Sequence, residues 1–223
     1  MEQVKRSRRL MHPCTQRHLI QDVPQELIQY IQSLLPVKEA ARTSVLSKSW
    51  LHAWSTVPTL RFLQSVHVLS EQQKANYIKL IDAILTRYLR DNIPITTFHL
   101  NFGIENKESS CLAENWIRPV ASKSCLKELY LTIWFRISLP FTMPDEIFSG
   151  ENLDKLSVTD QGFRSCSIFI GNNPMINCVN LRVLELINVH ISQEFLDNLF
   201  STCNLLRKVK LLLPEGVMMT AKV

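Results

Sequence analysis

Histidine, cysteine and paired carboxylate side chains are the groups in this chain that could carry catalysis or bind a metal ion. The six histidines are scattered, and no two of the six cysteines are close enough to form a Cys-x-x-Cys pair. Zinc sites need such pairs or a His-Glu-x-x-His motif, and the sequence has neither. Asp145 with Glu146, and Glu194 near Asp197, are typical of solvated loops and helix starts. We therefore predict no catalytic residue, no metal ligand and a chain that is not an enzyme.

Nucleotide cofactors are held by glycine-rich loops, which place several glycines in a short span. The chain has five glycines, at positions 103, 150, 162, 171 and 216. This spacing excludes both GxGxxG and GxxxxGK, and with them most nucleotide-driven enzymes. We expect no cofactor.

The net charge of +5 is concentrated at the N-terminus. Residues 1–18 carry the run Lys5-Arg6-Ser7-Arg8-Arg9, and the rest of the chain is nearly neutral. Such a run can direct a protein to the nucleus or contact phosphates, but the simpler interpretation is a solvated tail. We therefore expect a disordered basic tail over 1–18 and no nucleic-acid partner.

Composition and hydropathy describe an ordinary globular chain of 223 residues, with 46% apolar and 20% charged residues. No uncharged apolar run approaches the roughly 18 residues that cross a bilayer, and no secretory signal is present. No asparagine begins an Asn-x-Ser/Thr motif, the acceptor for N-glycosylation. We expect no membrane association and a location in the cytoplasm, the nucleus or both.

Residues 19–62 are predicted to form three short helices. Asp22 is placed to cap the first helix, which begins at Val23-Pro24 and ends before Pro36. Its apolar residues recur at helical spacing and form one stripe: Leu27, Ile28, Ile31, Leu34 and Leu35.

The second and third helices are expected over 38–45 and after Ser47, with Pro58 closing the third. Three helices of this length are too small a unit to bury so much apolar surface alone. From periodicity, the stripe packs equally well against the rest of this chain or against another protein.

The residues of these helices resemble the F-box of plant-type F-box proteins. The resemblance is carried by the segments Val23–Ile28 and Leu34–Trp50, and by Ile31, Trp54 and Pro58. In that family the motif docks onto a Skp-type adaptor, which joins it to a cullin scaffold and a RING subunit in an SCF-type ubiquitin ligase. The resemblance implies adaptor contacts at Pro24, Leu27, Ile28, Ile31, Leu34, Leu35, Pro36, Val45 and Trp50.

Residues 63–94 are predicted to form a linker and one long amphipathic helix over 71–90, which ends at Asp91-Asn92 before Pro94. Beyond it, the pattern apolar-x-x-apolar-x-apolar recurs five times at an interval close to the roughly 20–29 residues of a leucine-rich repeat. The five triplets are Ile95-Phe98-Leu100, Leu126-Leu129-Leu131, Leu153-Leu156-Val158, Leu181-Leu184-Leu186 and Leu206-Val209-Leu211.

The repeats predict short strands with alternate side chains turned inward, and returning segments outside them. Cys178 and Cys203 each precede a repeat by three residues, so both are expected to be buried structural thiols. The fold class is therefore α/β: an N-terminal three-helix F-box over 19–62, a linking helix, and a short leucine-rich-repeat solenoid over 95–223.

This second half also resembles the region that follows the F-box in plant F-box/FBD/LRR-type proteins, on the phrases Pro94–Leu100, Trp116-Ile117 and Leu126–Leu131. The chain ends at Val223, just after a strand and the turn-like Pro214-Glu215-Gly216, so we expect no FBD region and an uncapped last repeat. Three accounts of this end stay open: a truncated gene product, a short natural member of the family, or an end that a partner covers.

The resemblance implies a non-catalytic substrate-recognition subunit of an SCF-type ligase, whose repeats bind an unidentified target protein. Two alternatives stay open: a truncated decoy or interaction module outside the ligase, and a small-molecule co-receptor with an apolar pocket in the repeats. The outward strand positions where a target would bind are Lys127, Glu128, Tyr130, Thr132, Asp154, Lys155, Arg182, Glu185, Arg207, Lys208 and Lys210.

Overall fold

Three short helices form the N-terminal helical unit, which we define as residues 23–58. A computed structural model describes residues 23–64, 68–136, 140–162, 168–171, 174–213 and 218–222. The helices are α1 (Gln25–Leu34), α2 (Val37–Thr43) and α3 (Lys48–Thr56). Pro24 and Pro36 directly precede α1 and α2, where a missing backbone N–H costs nothing. Asp22, the predicted cap of α1, lies outside the described residues.

The third helix begins at a side-chain cap. The hydroxyl of Ser47 accepts a hydrogen bond from the backbone N–H of Trp50 at 3.3 Å. This bond satisfies one of the orphan donors of the first turn and fixes where α3 starts.

The long helix α4 (Glu71–Arg90) covers the predicted range. A capping box begins it, in which the Ser70 side chain accepts from the Gln73 backbone N–H and the Gln73 side chain accepts from the Ser70 N–H. It ends at Asp91, and Asn92 follows with a φ of 49°, a left-handed conformation typical of helix ends.

The remaining chain is a mixture of strands and helices. The further helices are α5 (Lys107–Ala121), α6 (Gln193–Thr202) and a 3₁₀ turn at Asp145–Phe148. The strands are β1 (Thr59–Phe62), β2 (Thr97–Ile104), β3 (Glu128–Phe135), β4 (Phe141–Thr142), β5 (Lys155–Asp160), β6 (Ile168–Phe169), β7 (Val183–Ile187), β8 (Val189–His190), β9 (Lys208–Leu212) and β10 (Met218–Lys222).

Seven of these strands form one sheet in the order β1-β2-β3-β5-β7-β9-β10. Its first six strands are parallel, and each lies beside the next one along the repeat. A second, smaller parallel sheet joins β4, β6 and β8. Parallel pairing of successive strands requires each connecting segment to cross back over the sheet, and α4 and α5 make two of these crossings.

The five predicted apolar triplets lie in register on neighbouring strands. Phe98, Leu129, Leu156, Leu184 and Val209 form one row across the sheet, and the third members of the triplets form another. All of them are buried. The two rows build a continuous core beneath the helices, because each repeat buries its apolar face against the next.

A sixth unit precedes the predicted five. Val57, Leu60 and Phe62 follow the same pattern, are fully buried, and place Leu60 beside Phe98 and Phe62 beside Leu100. The predicted repeats begin only at Ile95. This earlier unit is missing from them, because α4 lies between Val57 and Ile95 and makes the distance between them longer than the interval between the other repeats. The sheet therefore starts within the segment that resembles an F-box.

The sheet also continues past its last predicted strand. β10 pairs antiparallel with β9, with Met219 opposite Leu211. β10 therefore pairs with the backbone groups of β9 and becomes the outermost strand of the sheet, and the uncapped end of the repeats stays a prediction. The predicted turn at Pro214-Glu215-Gly216 lies outside the described residues.

Two apolar cores divide the N-terminal helical unit. Val37, Ala40, Trp54 and Val57 belong to the main core, together with the sheet and α4. Ile28, Trp50 and Ala53 form a second, small core among the three helices. The unit is therefore fused to the sheet on one side and held together by its own packing on the other.

Candidate interaction surfaces

The N-terminal helical unit exposes large apolar side chains that the described chain does not cover. Leu27, Tyr30 and Leu34 lie on one face of α1, at spacings of three and four residues, and Tyr30 is 61% exposed. Val45 and Leu46 follow α2, and Val45 is 85% exposed. Leu51 adds an exposed side chain on α3. We define these six residues as the apolar helix surface: Leu27, Tyr30, Leu34, Val45, Leu46 and Leu51.

The structure separates the nine predicted adaptor contacts into three groups. Pro24, Leu27, Leu34 and Val45 are exposed, whereas Ile31, Leu35 and Pro36 are partly buried. Ile28 and Trp50 are buried in the small core of the unit, where only a rearrangement would make them accessible. Their direct contact with an adaptor stays a prediction, and their position gives them a structural role.

Three residues of the apolar helix surface are missing from the predicted contacts: Tyr30, Leu46 and Leu51. Tyr30 follows Leu27 by three residues, so helical spacing alone places it on the exposed face. Its hydroxyl makes it look like a polar residue in a hydropathy pattern, which explains why the apolar stripe does not include it.

A buried glutamine fixes the arrangement of the three helices. The Nε2 of Gln32 donates to the Thr43 hydroxyl at 2.8 Å and to the Trp50 carbonyl at 3.1 Å. It therefore ties α1 to the end of α2 and to α3. Gln29 adds a bond from its Nε2 to the Thr56 hydroxyl at 2.9 Å. These bonds hold α1 so that Leu27, Tyr30 and Leu34 face away from the small core.

A second candidate surface is the side of the large sheet opposite the helices. Side chains that alternate with the buried rows point there, and we define the strand face as Arg61, His99, Tyr130, Lys155, Ser157, Glu185, Lys208, Lys210 and Glu128. Arg61, His99, Tyr130, Ser157, Glu185 and Lys210 form one row across six strands. None of these residues is fully buried.

Aromatic and charged groups on the strand face contact one another. The rings of His99 and Tyr130 stack with centroids 5.0 Å apart, and the Lys155 ammonium lies 4.9 Å from the Tyr130 ring centre. Glu185 accepts hydrogen bonds from Lys208 at 2.8 Å and from Ser157 at 3.3 Å. The face is thus a connected polar network around one aromatic pair.

This network shifts the pKa values of its members. Burial, followed by the charges of Arg61 and Lys155, lowers the pKa of His99 to about 4. Burial raises the pKa of Tyr130 to about 12, and its hydrogen bond to Glu128 acts in the same direction. The hydrogen bond from Lys208 lowers the pKa of Glu185. At neutral pH His99 and Tyr130 are neutral, and Glu185 is ionised.

The predicted target-binding residues fall into two sets. Glu128, Tyr130, Thr132, Lys155, Glu185, Lys208 and Lys210 alternate with the buried residues of their strands. Lys127, Asp154, Arg182 and Arg207 instead precede the strands and form a rim linked by backbone hydrogen bonds of 2.7–2.8 Å. Arg182 pairs with Asp154 along this rim at 3.1 Å. Arg61, His99 and Ser157 are additional members of the face, and Arg61 is absent from the prediction because the strand β1 that carries it was not predicted.

A cleft of about 590 Å³ lies on the helix side, between α5 and the segment around β4. Its lining includes Lys107, Arg118 and Glu146, and Arg118 forms ion pairs with Glu114 and Glu146 at 2.6 and 2.5 Å. A small-molecule co-receptor was expected to offer a deep apolar pocket. The lining of this cleft mixes charged side chains with apolar ones such as Phe141 and Met143, so the cleft is not such a pocket.

Cys178 and Cys203 are both buried, as their equivalent positions in two repeats predict, and the structure brings them into contact in the core. Their sulfur atoms are 3.6 Å apart, and both side chains are buried. The hydrogen bond with the neighbouring Cys203 thiol, followed by burial, raises the pKa of Cys178. Within the described residues no group of histidine, cysteine and carboxylate side chains is arranged to hold a metal ion, and no helix there is long and apolar enough to span a membrane.

Two protein-family models match the chain. Residues 20–62 match the F-box domain. Residues 113–220 match a model described as the LRR repeats of the FBD-associated F-box protein At5g56370. The first match covers the helical unit with its apolar surface, and the second runs from within α5 through β9 to the first residues of β10.

Relatives from Arabidopsis thaliana share this organisation. The putative F-box/LRR-repeat protein At5g41840 is 27% identical over 203 residues, which cover 86% of this chain and 36% of the relative. The F-box/LRR-repeat protein At4g14096 is 30% identical over 145 residues, covering 64% of this chain and 30% of the relative. The chain thus spans about a third of the length of these curated relatives. No solved structure matches it.

Proposed function

The chain belongs to the plant F-box/LRR-repeat proteins, and we propose that it is the substrate-recognition subunit of an SCF-type E3 ubiquitin ligase. In this proposal the apolar helix surface docks onto a Skp-type adaptor, which connects it to a cullin and a RING subunit. The strand face of the repeat solenoid binds a target protein. The chain carries out no bond chemistry and acts in the cytoplasm or the nucleus.

The mechanism is proximity. A ligase bound at one end of the chain and a target bound at the other are held together, so ubiquitin transfer to target lysines occurs at a high effective concentration. A rigid connection between the two surfaces favours ubiquitin transfer, because a flexible linker would lower the effective concentration of the target at the ligase.

One observation carries the proposal: large apolar side chains of the helical unit remain exposed although the unit is fully folded. Leu34 is 54% exposed and Val45 85% exposed, whereas the residues of the small core, Ile28, Trp50 and Ala53, are buried. Full burial of one such side chain contributes roughly 1.5–3 kcal/mol. Most of the six residues of the apolar helix surface are about half exposed, so covering each contributes about half of that amount or more. Their sum is of the same order as the cost of association.

The connection between the two surfaces supports the mechanism. Trp54 and Val57 at the end of the helical unit share the main core with Leu60 of β1 and with α4. Because packed cores resist deformation, this shared core fixes the orientation of the apolar helix surface relative to the sheet. An adaptor docked on the helices would then present the strand face in one direction.

The test is co-purification of the full chain with a recombinant plant Skp-type adaptor. A Leu27→Asp/Leu34→Asp variant places two charges in the apolar helix surface and is expected to lose the adaptor. The matched control Phe200→Asp/Leu205→Asp changes two exposed apolar residues near the far end of the sheet and should retain it. Equal recovery of adaptor with both variants would overturn the proposal, as would failure of the unmodified chain to bind.

Ubiquitination itself is tested in cells. Proteasome inhibition should enrich ubiquitinated proteins bound to the unmodified chain, and the Leu27→Asp/Leu34→Asp variant should bind the same proteins without their ubiquitin. Adaptor binding without any ubiquitinated client would instead support a decoy.

A further inference from the structure

The charges of the strand face identify the kind of target segment that fits it. Arg61, Lys155, Lys208 and Lys210 are basic, whereas Glu128 and Glu185 are the acidic residues of the defined set. The rim beside it adds Lys127, Arg182 and Arg207 against Asp154. This excess of positive charge is local, because the chain outside its N-terminal tail is nearly neutral. We infer that the strand face binds an acidic extended segment of a protein, and this inference rests on the proposed function.

Internal pairing neutralises only part of this positive charge. Glu185 is engaged by Lys208 and Ser157, and Asp154 by Arg182. Among the described residues, Arg61, Lys155 and Lys210 form no ion pair with a carboxylate. The guanidinium of Arg61 reaches only the Leu34 carbonyl, at 3.4 Å, and its buried Nε has no hydrogen-bond partner there. No carboxylate of the described residues therefore forms an ion pair with these three cations, although all three are only partly buried.

The positions of these cations favour a segment that runs across the strands. Arg61 lies on β1, Lys155 on β5 and Lys210 on β9, so they span the six parallel strands. Strands about 4.8 Å apart give a width of about 24 Å, which an extended chain covers with about seven residues. A segment of that length with several carboxylates can meet all three cations at once.

The His99–Tyr130 pair lies between Arg61 and Lys155 and provides an uncharged platform. Both rings are neutral at physiological pH, and their stacked arrangement leaves no net charge to repel an anion. The Lys155 ammonium is held over the Tyr130 ring, so it is positioned before a ligand arrives. Positioned cations lose less side-chain entropy when they bind a carboxylate.

A protein segment fits this face better than a nucleic acid does. Glu128 and Glu185 are interspersed among the cations, and their carboxylates would repel a continuous row of phosphates. A peptide tolerates them, because its backbone N–H groups can donate hydrogen bonds to such oxygens. Nucleic-acid binding is therefore treated as an outcome that would contradict the inference.

The experiment measures binding of fluorescein-labelled octaglutamate to the full chain by fluorescence anisotropy. A Lys155→Glu/Lys210→Glu variant reverses two charges on the strand face. The matched control, Lys79→Glu/Lys107→Glu, makes the same change in net charge at exposed lysines on the helix side. The strand-face variant should weaken octaglutamate binding by about tenfold or more, whereas the control should change it by less than about threefold.

Three results would overturn the inference: no octaglutamate binding by the unmodified chain, equal weakening in both variants, or tighter binding of octathymidylate than of octaglutamate. Co-purification with the adaptor is measured on the same proteins. A chain that binds the adaptor but not octaglutamate refutes only the acidic segment. One that binds octaglutamate but no adaptor refutes the ligase proposal and leaves the acidic ligand class standing.

Discussion

Tyr88 joins the long helix to the end of the N-terminal helical unit, because its hydroxyl donates a 2.9 Å hydrogen bond to the carbonyl of Val57. Both residues are fully buried. Val57 lies between α3 and β1, at the point where the helical unit becomes the sheet. The bond therefore satisfies a backbone acceptor at the junction that connects the two candidate surfaces.

Removing this hydroxyl should destabilise the chain. A Tyr88→Phe substitution leaves the Val57 carbonyl buried without this donor, so we expect a loss of about 1–3 kcal/mol in the free energy of unfolding. Urea denaturation followed by circular dichroism measures it. Tyr30→Phe is the matched control and should have almost no effect, because Tyr30 is exposed. Equal stability of the two variants would show that the Tyr88 bond does not contribute.

The unpredicted first strand provides a second test. Leu60 is fully buried at the start of the core row that continues through Phe98. Leu60→Ala should cost about 2–5 kcal/mol of unfolding free energy, as in other well-packed cores. Leu51→Ala removes the same atoms from an exposed position and should cost much less. If both substitutions had the same small effect on the urea midpoint, β1 would not be part of the cooperative core.

The strands of the repeats were predictable because their pattern depends on local sequence. A buried strand needs apolar residues at every second position, and the five triplets showed this directly. The strand at Leu60 has the same pattern but follows Pro58 and precedes a long helix. Its distance from the next triplet is therefore longer than the repeat interval, and a search for that interval does not find it. β10 was unpredictable for another reason: it pairs antiparallel with the strand that precedes it in the chain, and its sequence has no repeat signature.

The site was predictable only in part. A helical stripe of apolar residues shows which side chains lie on the same face. It does not show which of them pack inside the helical unit and which stay exposed, and in α1 the stripe contains both kinds. Ile28 faces the small core and Leu27 faces outward, although both are apolar neighbours in sequence. Which side stays exposed depends on how α3 packs against α1 through Trp50, and that contact comes from residues far apart in the chain.

This division predicts opposite effects at neighbouring positions. Ile28→Ala should lower the free energy of unfolding by about 2–5 kcal/mol, because it opens a cavity in the small core. Leu27→Ala should leave stability nearly unchanged and weaken adaptor binding, since Leu27 is exposed in the free chain. Denaturation and adaptor titration on both variants measure the two properties separately. A large stability loss for Leu27→Ala would place it in the core and remove it from the apolar helix surface.

The cysteines are expected to differ in reactivity. Cys178 and Cys203 are both buried, so an alkylating reagent cannot reach either thiol in the folded chain, and the raised pKa of Cys178 further reduces its thiolate. Cys111 is exposed on α5. Brief treatment of the native chain with N-ethylmaleimide should therefore label Cys111 and spare Cys178 and Cys203, as measured by peptide mass spectrometry. Labelling of all three at one rate would mean that the core around the cysteine pair opens readily. Urea serves as the positive control, because unfolding should equalise the rates.

The pH dependence of the free energy of unfolding should show the contribution of His99 titration. Its pKa is about 4 in the folded chain, against a reference value of 6.5. Between these values the unfolded chain takes up a proton that the folded chain excludes, so stability should decrease as the pH falls from about 6.5 to about 4. Above that window the histidine is neutral in both states and contributes no slope. Glu185 acts in the same direction only below its own reference value of 4.5, because its pKa is also lowered.

A His99→Gln variant isolates this contribution. Glutamine keeps a polar side chain beside Tyr130 but cannot titrate, so the variant should lose part of the decrease in stability between pH 6.5 and pH 4.5. His52→Gln, at an exposed position on α3, is the matched control and should keep the slope of the unmodified chain. Urea midpoints at several pH values measure both. Since Arg61 and Lys155 contribute to the low pKa of His99, Lys155→Gln should raise that pKa and shift the window upward. An unchanged slope in His99→Gln would show that His99 is solvated, and that the cations of the strand face do not act on it.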